Sequence, residues 1–311
     1  MILSAEVLAL LFLNTLFAIF GTIAFWIALT IYLKWDFSAT TQTQYSLERS
    51  SYLGATIIKY ILIFKLLLFI YFIFTLDKIS NVITGAMCAA GVVDATEIGI
   101  FVLLLKLLNI YLFGFWLLMH YRDELSAKRE WTQLKFGYYT VIYLFLMAEI
   151  VLETKMFMDI DVDKMVSCCG VLYSQSATTY ISTLFKIDSK VLVTLFYGLF
   201  IALSYVYIVQ KRRVYSLLMI LFLPVALLSL ILFFGTYIYE LPTHHCPFCF
   251  LQKDYNYVGY LIYILLFVAT FYGVSAPWSR NIKLSYAALC AYTAIVSWYV
   301  MGYYIANGVW L

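Results

Sequence analysis

Five of the six cysteines, Cys88, Cys168, Cys169, Cys246 and Cys249, fall between apolar segments, and the sixth, Cys290, falls inside one. Cys246 and Cys249 close the run His244-His245-Cys246-Pro247-Phe248-Cys249. Two intervening residues let a pair of sulfurs meet within one helical turn, the spacing of a dithiol/disulfide switch or of half a metal site. A hydrophobic segment follows, so the motif is expected at a helix N-terminus. Pro247 would then sit in the first turn, and the helix dipole would favour the Cys246 thiolate. His244 and His245 supply proton carriers during exchange, or borderline ligands beside soft ones. Cys168 and Cys169 are adjacent, and a bridge between them would distort the intervening peptide. Each is expected to seek a distant partner, with Cys88 a candidate. If Cys246 bridges Cys249 and Cys88 bridges one vicinal cysteine, a thiol is left over, as a relay by disulfide exchange requires. Soft metal ions would use the same sulfurs.

The elements that position these groups are membrane helices. Hydrophobic residues make up 65% of the 311 and charged residues 12%, with a mean hydropathy of +0.93. Soluble domains run at about 45–50% apolar and about 25% charged. The excess comes in runs of the length a bilayer demands, about 20 residues. A net charge of +3, spread over short loops, gives no reason to expect a nucleic-acid partner. Many of the 28 tyrosines lie near segment ends, where amphipathic rings suit the headgroup level. The first segment has no basic leader and is too long for a signal h-region, so it reads as a span.

Eight apolar segments are expected as helices, approximately 7–33, 52–76, 98–119, 136–153, 189–209, 214–239, 256–275 and 284–306. The fourth is the shortest, and Pro224 should kink the sixth. The fold class is thus all-α, a polytopic transmembrane bundle in which residues 1–311 form a single integral membrane domain. Lysine and arginine concentrate in the loops at 34–51, 120–135, 210–213 and 276–283, led by Lys211-Arg212-Arg213. The alternate loops, 77–97, 154–188 and 240–255, are acidic and carry the five loop cysteines. The positive-inside rule makes the first set cytoplasmic, with both termini and the thiols outside an inner (plasma) membrane. That face is where thiols meet oxidants, periplasmic thioredoxin-like proteins and soft metals.

Three charges interrupt the spans: Lys65, Lys106 and Glu149. Each costs about 2.5–3.5 kcal/mol on insertion scales, so each needs a partner or a cavity. Lys65 lies about 20 Å from the cytoplasmic end of its segment, too deep for easy snorkelling. Lys106 and Glu149 both belong to the outer half, where an ion pair between the third and fourth segments is expected. They serve either as glue between helices or as part of a proton path. Asn14 and Asn109 are expected to be interhelical hydrogen bonders.

The Cys246/Cys249 dithiol with Cys88, Cys168 and Cys169 in other outer loops resembles membrane thiol–disulfide oxidoreductases of the disulfide-bond-protein-B and vitamin-K-epoxide-reductase kind. The resemblance covers three loops. It implies Cys246 as attacking thiol, Cys249 as resolving thiol, the remaining loop cysteines as shuttles, and a quinone poised near Lys65, Lys106 and Glu149. The order Cys88, Cys168-Cys169-Gly170, Cys246, Cys249 also resembles the cysteine-rich domain of heterodisulfide-reductase-type proteins, which implies an iron–sulfur cluster. From the residues themselves three functions stay open. One is a thiol–disulfide redox protein. Another is a copper, zinc or iron site built from His244, His245, Cys246 and Cys249, with Cys168 and Cys169. The third is a disulfide-stapled, non-catalytic subunit assembled with other membrane subunits.

Overall fold

The computed structural model describes residues 4–37, 39–86, 88–126, 129–161, 166, 188–279 and 281–311. Among them every regular element is helical. The helices are α1 (Ala5–Lys34), α2 (Gln42–Ser80), α3 (Ala89–Asp94), α4 (Gly99–Leu125), α5 (Thr132–Asp159), α6 (Ser189–Ile208), α7 (Arg212–Ser229), α8 (Gly235–Tyr239), α9 (Val258–Val274) and α10 (Ile282–Asn307). A π-helical turn, Leu230–Phe234, joins α7 to α8. Six of these stretches are long and apolar enough to cross a bilayer: α1, α2, α4, α6, α10 and the continuous Arg212–Tyr239. The chain is therefore a multi-pass membrane protein. The expected fourth segment is not short: α5 runs for 28 residues, its ends being polar and its middle apolar.

Two compact units divide the chain. In the first, residues 1–84 and 92–166, α1 packs on α2 and α5, and α4 packs on the same two helices, which closes a four-helix ring. Each helix buries one seam with steps of three and four residues. On α1 the buried positions include Val7, Leu10, Asn14, Gly21, Ala24, Ala28 and Ile31. On α4 they include Val102, Lys106, Asn109, Phe113, Trp116, His120 and Asp123. On α5 they include Lys135, Tyr139, Ile142, Leu146, Glu149, Glu153 and Met156. This is the 3.5-residue repeat of left-handed helix packing. The opposite faces carry exposed Phe12, Trp26, Leu67, Leu104 and Leu144, as lipid-facing surfaces should. Close approach needs small residues at the seam: a Cβ on Gly54 of α2 would stand 2.8 Å from Ile27 Cγ2 on α1.

The polar seam residues meet as a ring. Lys65 Nζ is 2.8 Å from Glu149 Oε1, and Lys106 Nζ is 2.9 Å from the same oxygen. Lys106 also pairs with Glu153 Oε2 at 2.9 Å. Asn14 Nδ2 donates to that Glu153 oxygen at 2.8 Å, and Asn14 Oδ1 accepts from Lys65 at 3.0 Å. Asn109 Nδ2 donates to Glu149 Oε2 at 2.5 Å. One residue from α1, one from α2, two from α4 and two from α5 thus bond to one another, and the two lysines balance the two glutamates, while Asn109 Oδ1 and Glu153 Oε1 have no hydrogen-bond partner among the described residues. The expected Lys106–Glu149 pair is present, with Lys65 and Glu153 added to it. A second polar knot ties α4 to α5: Lys135 Nζ and Thr132 Oγ1 donate to Asp123 Oδ2 at 2.5 and 2.9 Å.

The second unit comprises residues 85–91 and 167–311. Here α6 packs on α7, α7 on α9, and α9 on α10. Phe196, Phe222, Phe234 and Tyr292 form its aromatic core. Pro224 lies inside α7, and the π turn opens six residues later. A π turn changes which donors its carbonyls meet, and the Ile231 carbonyl in this turn reaches His245 of the site described next.

Candidate functional site

The loop between α8 and α9 begins where Glu240, at φ +55°, ends α8 in the left-handed region. The backbone amide of Leu241 donates to Thr236 at 3.1 Å, and that of His244 donates to Leu241 at 3.3 Å, folding the chain back. Cys249–Leu251 and Lys253–Tyr255 form two 3₁₀ turns. Asn256 and Tyr257 are again left-handed, and α9 starts only at Val258. The expectation of a Cys-x-x-Cys at a long helix N-terminus is therefore corrected. Cys246 and Cys249 lie in a turn and a 3₁₀ element, where no macrodipole acts on Cys246, and Pro247 serves the turn.

The turn presents both sulfurs to a third. Cys88 Sγ lies 3.7 Å from Cys246 Sγ and 3.9 Å from Cys249 Sγ, and all three sulfurs are within 4.8 Å of one another. Cys246 is 0% exposed, Cys88 1% and Cys249 9%. A disulfide would put two sulfurs at about 2.05 Å. Sulfurs bound about 2.3 Å from one ion stand about 3.8 Å apart in a tetrahedron and about 4.0 Å apart in a trigonal plane. The two spacings to Cys88 are longer than a disulfide bond and near those of sulfurs that share one ion.

No protein-family model, curated protein or solved structure matches the chain.

A shell of aromatic groups holds the thiols in place. The Tyr239 hydroxyl donates to the Cys246 carbonyl and accepts from the Phe250 amide at 3.2 Å. The Tyr263 hydroxyl donates to the Pro247 carbonyl at 2.7 Å. The Phe250 ring stacks on Tyr239 at 5.7 Å and lies 5.5 Å from Tyr263. Gly259 at the start of α9 lets this ring close over the turn, because a Cβ there would strike Phe250 and come within 2.9 Å of Leu251 Cδ2. Burial holds both His244 and His245 below the usual histidine value, so both rings are neutral at pH 7. The Ile231 carbonyl, 3.2 Å from His245 Nδ1, can only accept, so that nitrogen carries the proton.

Tyr239→Phe is expected to strip two buried backbone groups of their partner. The cost is about 1–3 kcal/mol, concentrated in the loop. Reduced Tyr239→Phe protein should show faster maleimide modification at Cys246 than reduced wild type, with mass spectrometry reading the adduct.

Of the residues marked from sequence, the structure joins Cys88, Cys246 and Cys249 in one cluster and places His244 and His245 at its margin. Lys65, Lys106 and Glu149 come together in the four-helix unit. Cys168 and Cys169 lie outside the described residues. Cys290 is a half-buried residue of α10. Missed from sequence were Glu153, which completes the ring, and Tyr239, which pins the Cys246 turn.

Proposed function

We propose that this chain is an eight-span protein of the plasma membrane that holds a thiophilic metal ion on its extracytoplasmic side through Cys88, Cys246 and Cys249. The reading is carried by the three sulfurs at single-ion spacing, drawn from two loops 158 residues apart in sequence. The donors fit: thiolates are the ligands chosen by copper(I) and zinc. Cluster ligands bind separate irons and point apart, so these converging sulfurs suit one ion better than an iron–sulfur cluster. When bound, the ion supplies a closed coordination centre that stabilises the loop and can be passed to a soft-ligand partner. The residues do the rest: the Tyr239 and Tyr263 hydroxyls orient the Cys246-Pro247 backbone, and the aromatic shell excludes water.

Thiol–disulfide exchange is the second reading, favoured by one observation. Cys88 Sγ is within 4 Å of both motif sulfurs, so it could relay between them. Burial argues against a soluble thioredoxin-like partner reaching these sulfurs directly. Purification without chelators under anaerobic conditions, followed by elemental analysis and thiol counting, separates the two. About one equivalent of copper or zinc per chain supports the metal site. Metal-free protein with Cys246 bridged to Cys249 or Cys88 supports exchange and defeats the metal site.

A further inference from the structure

The second unit carries its acids at one end. Its carboxylate side chains are Asp188, Glu240 and Asp254, which stand just before α6, just after α8 and ahead of α9. No aspartate or glutamate occurs in 189–239 or 255–311. The other end, where α6 turns into α7, holds Lys211, Arg212 and Arg213, and Lys283 lies in the first turn of α10. Gln210, at φ +59°, reverses the chain there. Two hydrogen bonds fasten the start of α7 to the connection between α9 and α10. Ser216 Oγ donates to the Val274 carbonyl at 2.7 Å, and Arg212 Nη1 donates to the Ser279 carbonyl at 3.4 Å. The turn and that connection line an open cavity of about 470 Å³, walled by Gln210, Lys211, Arg212, Arg213, Val214 and Pro277. The side chains of Lys211 and Arg213 make no hydrogen bond or ion pair among the described residues. No side chain caps α7 at Lys211, so the partial positive charge of its first amides adds to theirs. Adjacent cations repel one another, and a bound anion removes that repulsion.

We propose that this cavity binds the phosphate headgroup of an anionic phospholipid. Lys211 and Arg213 pair with phosphate oxygens. Arg212 keeps its bond to Ser279 and offers its remaining guanidinium donors. The surroundings select a lipid over a soluble anion. Ile208, Val214, Leu217 and Trp278, all exposed, flank the cations along the chain. They give acyl chains an apolar wall beside a basic headgroup site, which a free phosphate has no use for. The thiol loop lies at the other end of the span Arg212–Tyr239, so neither site depends on the other.

Native mass spectrometry of the full-length protein in detergent, titrated with phosphatidylglycerol or phosphatidylcholine of the same acyl chains, tests this. One phosphatidylglycerol per chain should be held on the order of 100-fold more tightly than phosphatidylcholine, the worth of three basic residues at the headgroup level. Lys211→Gln combined with Arg213→Gln should weaken phosphatidylglycerol binding about 30-fold. Both side chains are exposed, so the fold should persist, with circular dichroism as the check. Arg49→Gln, which removes an exposed cation of α2, should leave the affinity unchanged. The inference is overturned by equal affinity for the two lipids, or by a double variant that binds as wild type does. An Arg49→Gln loss as large as that of the double variant also overturns it, because the preference would then follow net charge. So does inorganic phosphate that binds wild type as tightly as phosphatidylglycerol and fails to bind the double variant, since the occupant would then be a soluble anion.

Discussion

Glu149→Leu is expected to destabilise the four-helix unit by about 3–5 kcal/mol, the cost of breaking a buried ion pair from one side. Glu149 accepts from Lys65 at 2.8 Å, Lys106 at 2.9 Å and Asn109 at 2.5 Å, and is essentially buried. Its loss leaves two ammonium groups facing one carboxylate, Glu153, where water cannot reach. The prediction is sharpened by charge. Glu149→Leu combined with Lys65→Met leaves Lys106 paired with Glu153, a neutral remainder, and should recover most of the loss. Lys65→Met alone leaves a surplus carboxylate and should fall between the two. Denaturant-induced unfolding in detergent, read by circular dichroism, measures all three. Equal destabilisation by Glu149→Leu with and without Lys65→Met would show that lost packing volume, not uncompensated charge, sets the cost.

The ring also shows what lay open in the sequence. In a bilayer the outward face of a helix is as apolar as the inward one, so hydrophobic periodicity says little about burial. The inward seam is marked instead by small and polar residues. Asn14, Gly21, Ala24 and Ala28 fall at steps of seven, three and four on α1, and Lys106 and Asn109 at a step of three on α4. Glu149 and Glu153 fall one turn apart on α5. That pattern was present in the letters, though it was the cost of charge inside a span that called for a partner or a cavity at Lys65, Lys106 and Glu149. Glu153 escaped notice because it stood at the drawn end of an apolar segment, though α5 continues six residues further.

The thiol site was legible only by half. Cys246 and Cys249 announce themselves by spacing. The approach of Cys88, by contrast, is set by loop geometry with no periodic signature. The helix starts at Val258, two residues past its expected start at 256; what failed was the reach of that helix back to Cys246, because two 3₁₀ turns and left-handed Asn256 and Tyr257 stand between them. Nor could the sequence foresee that the His245 ring meets a carbonyl in the π turn downstream of Pro224.

Cys88→Ser is expected to lower metal affinity at least 100-fold, more than loss of an outer-shell partner, which costs about 10–100-fold. The reason is geometric: Cys88 is the sulfur within 4 Å of both others, so removing it leaves Cys246 and Cys249 without the third corner that defines the site. A hydroxyl is a poor substitute for a thiolate toward zinc or copper(I). Competition with a chromophoric chelator measures the change, and Cys246→Ser and Cys249→Ser should match it closely. The same variant separates the two chemistries. A Cys246–Cys249 switch that works by itself would keep its bridge when Cys88 is gone, and alkylation with mass analysis would find that bridge form and reduce normally. A metal centre would instead leave Cys246 and Cys249 alkylated as thiols while the ion is lost. Retention of wild-type metal affinity by Cys88→Ser would remove the third sulfur from the site, and with it the convergence of two loops on one ion.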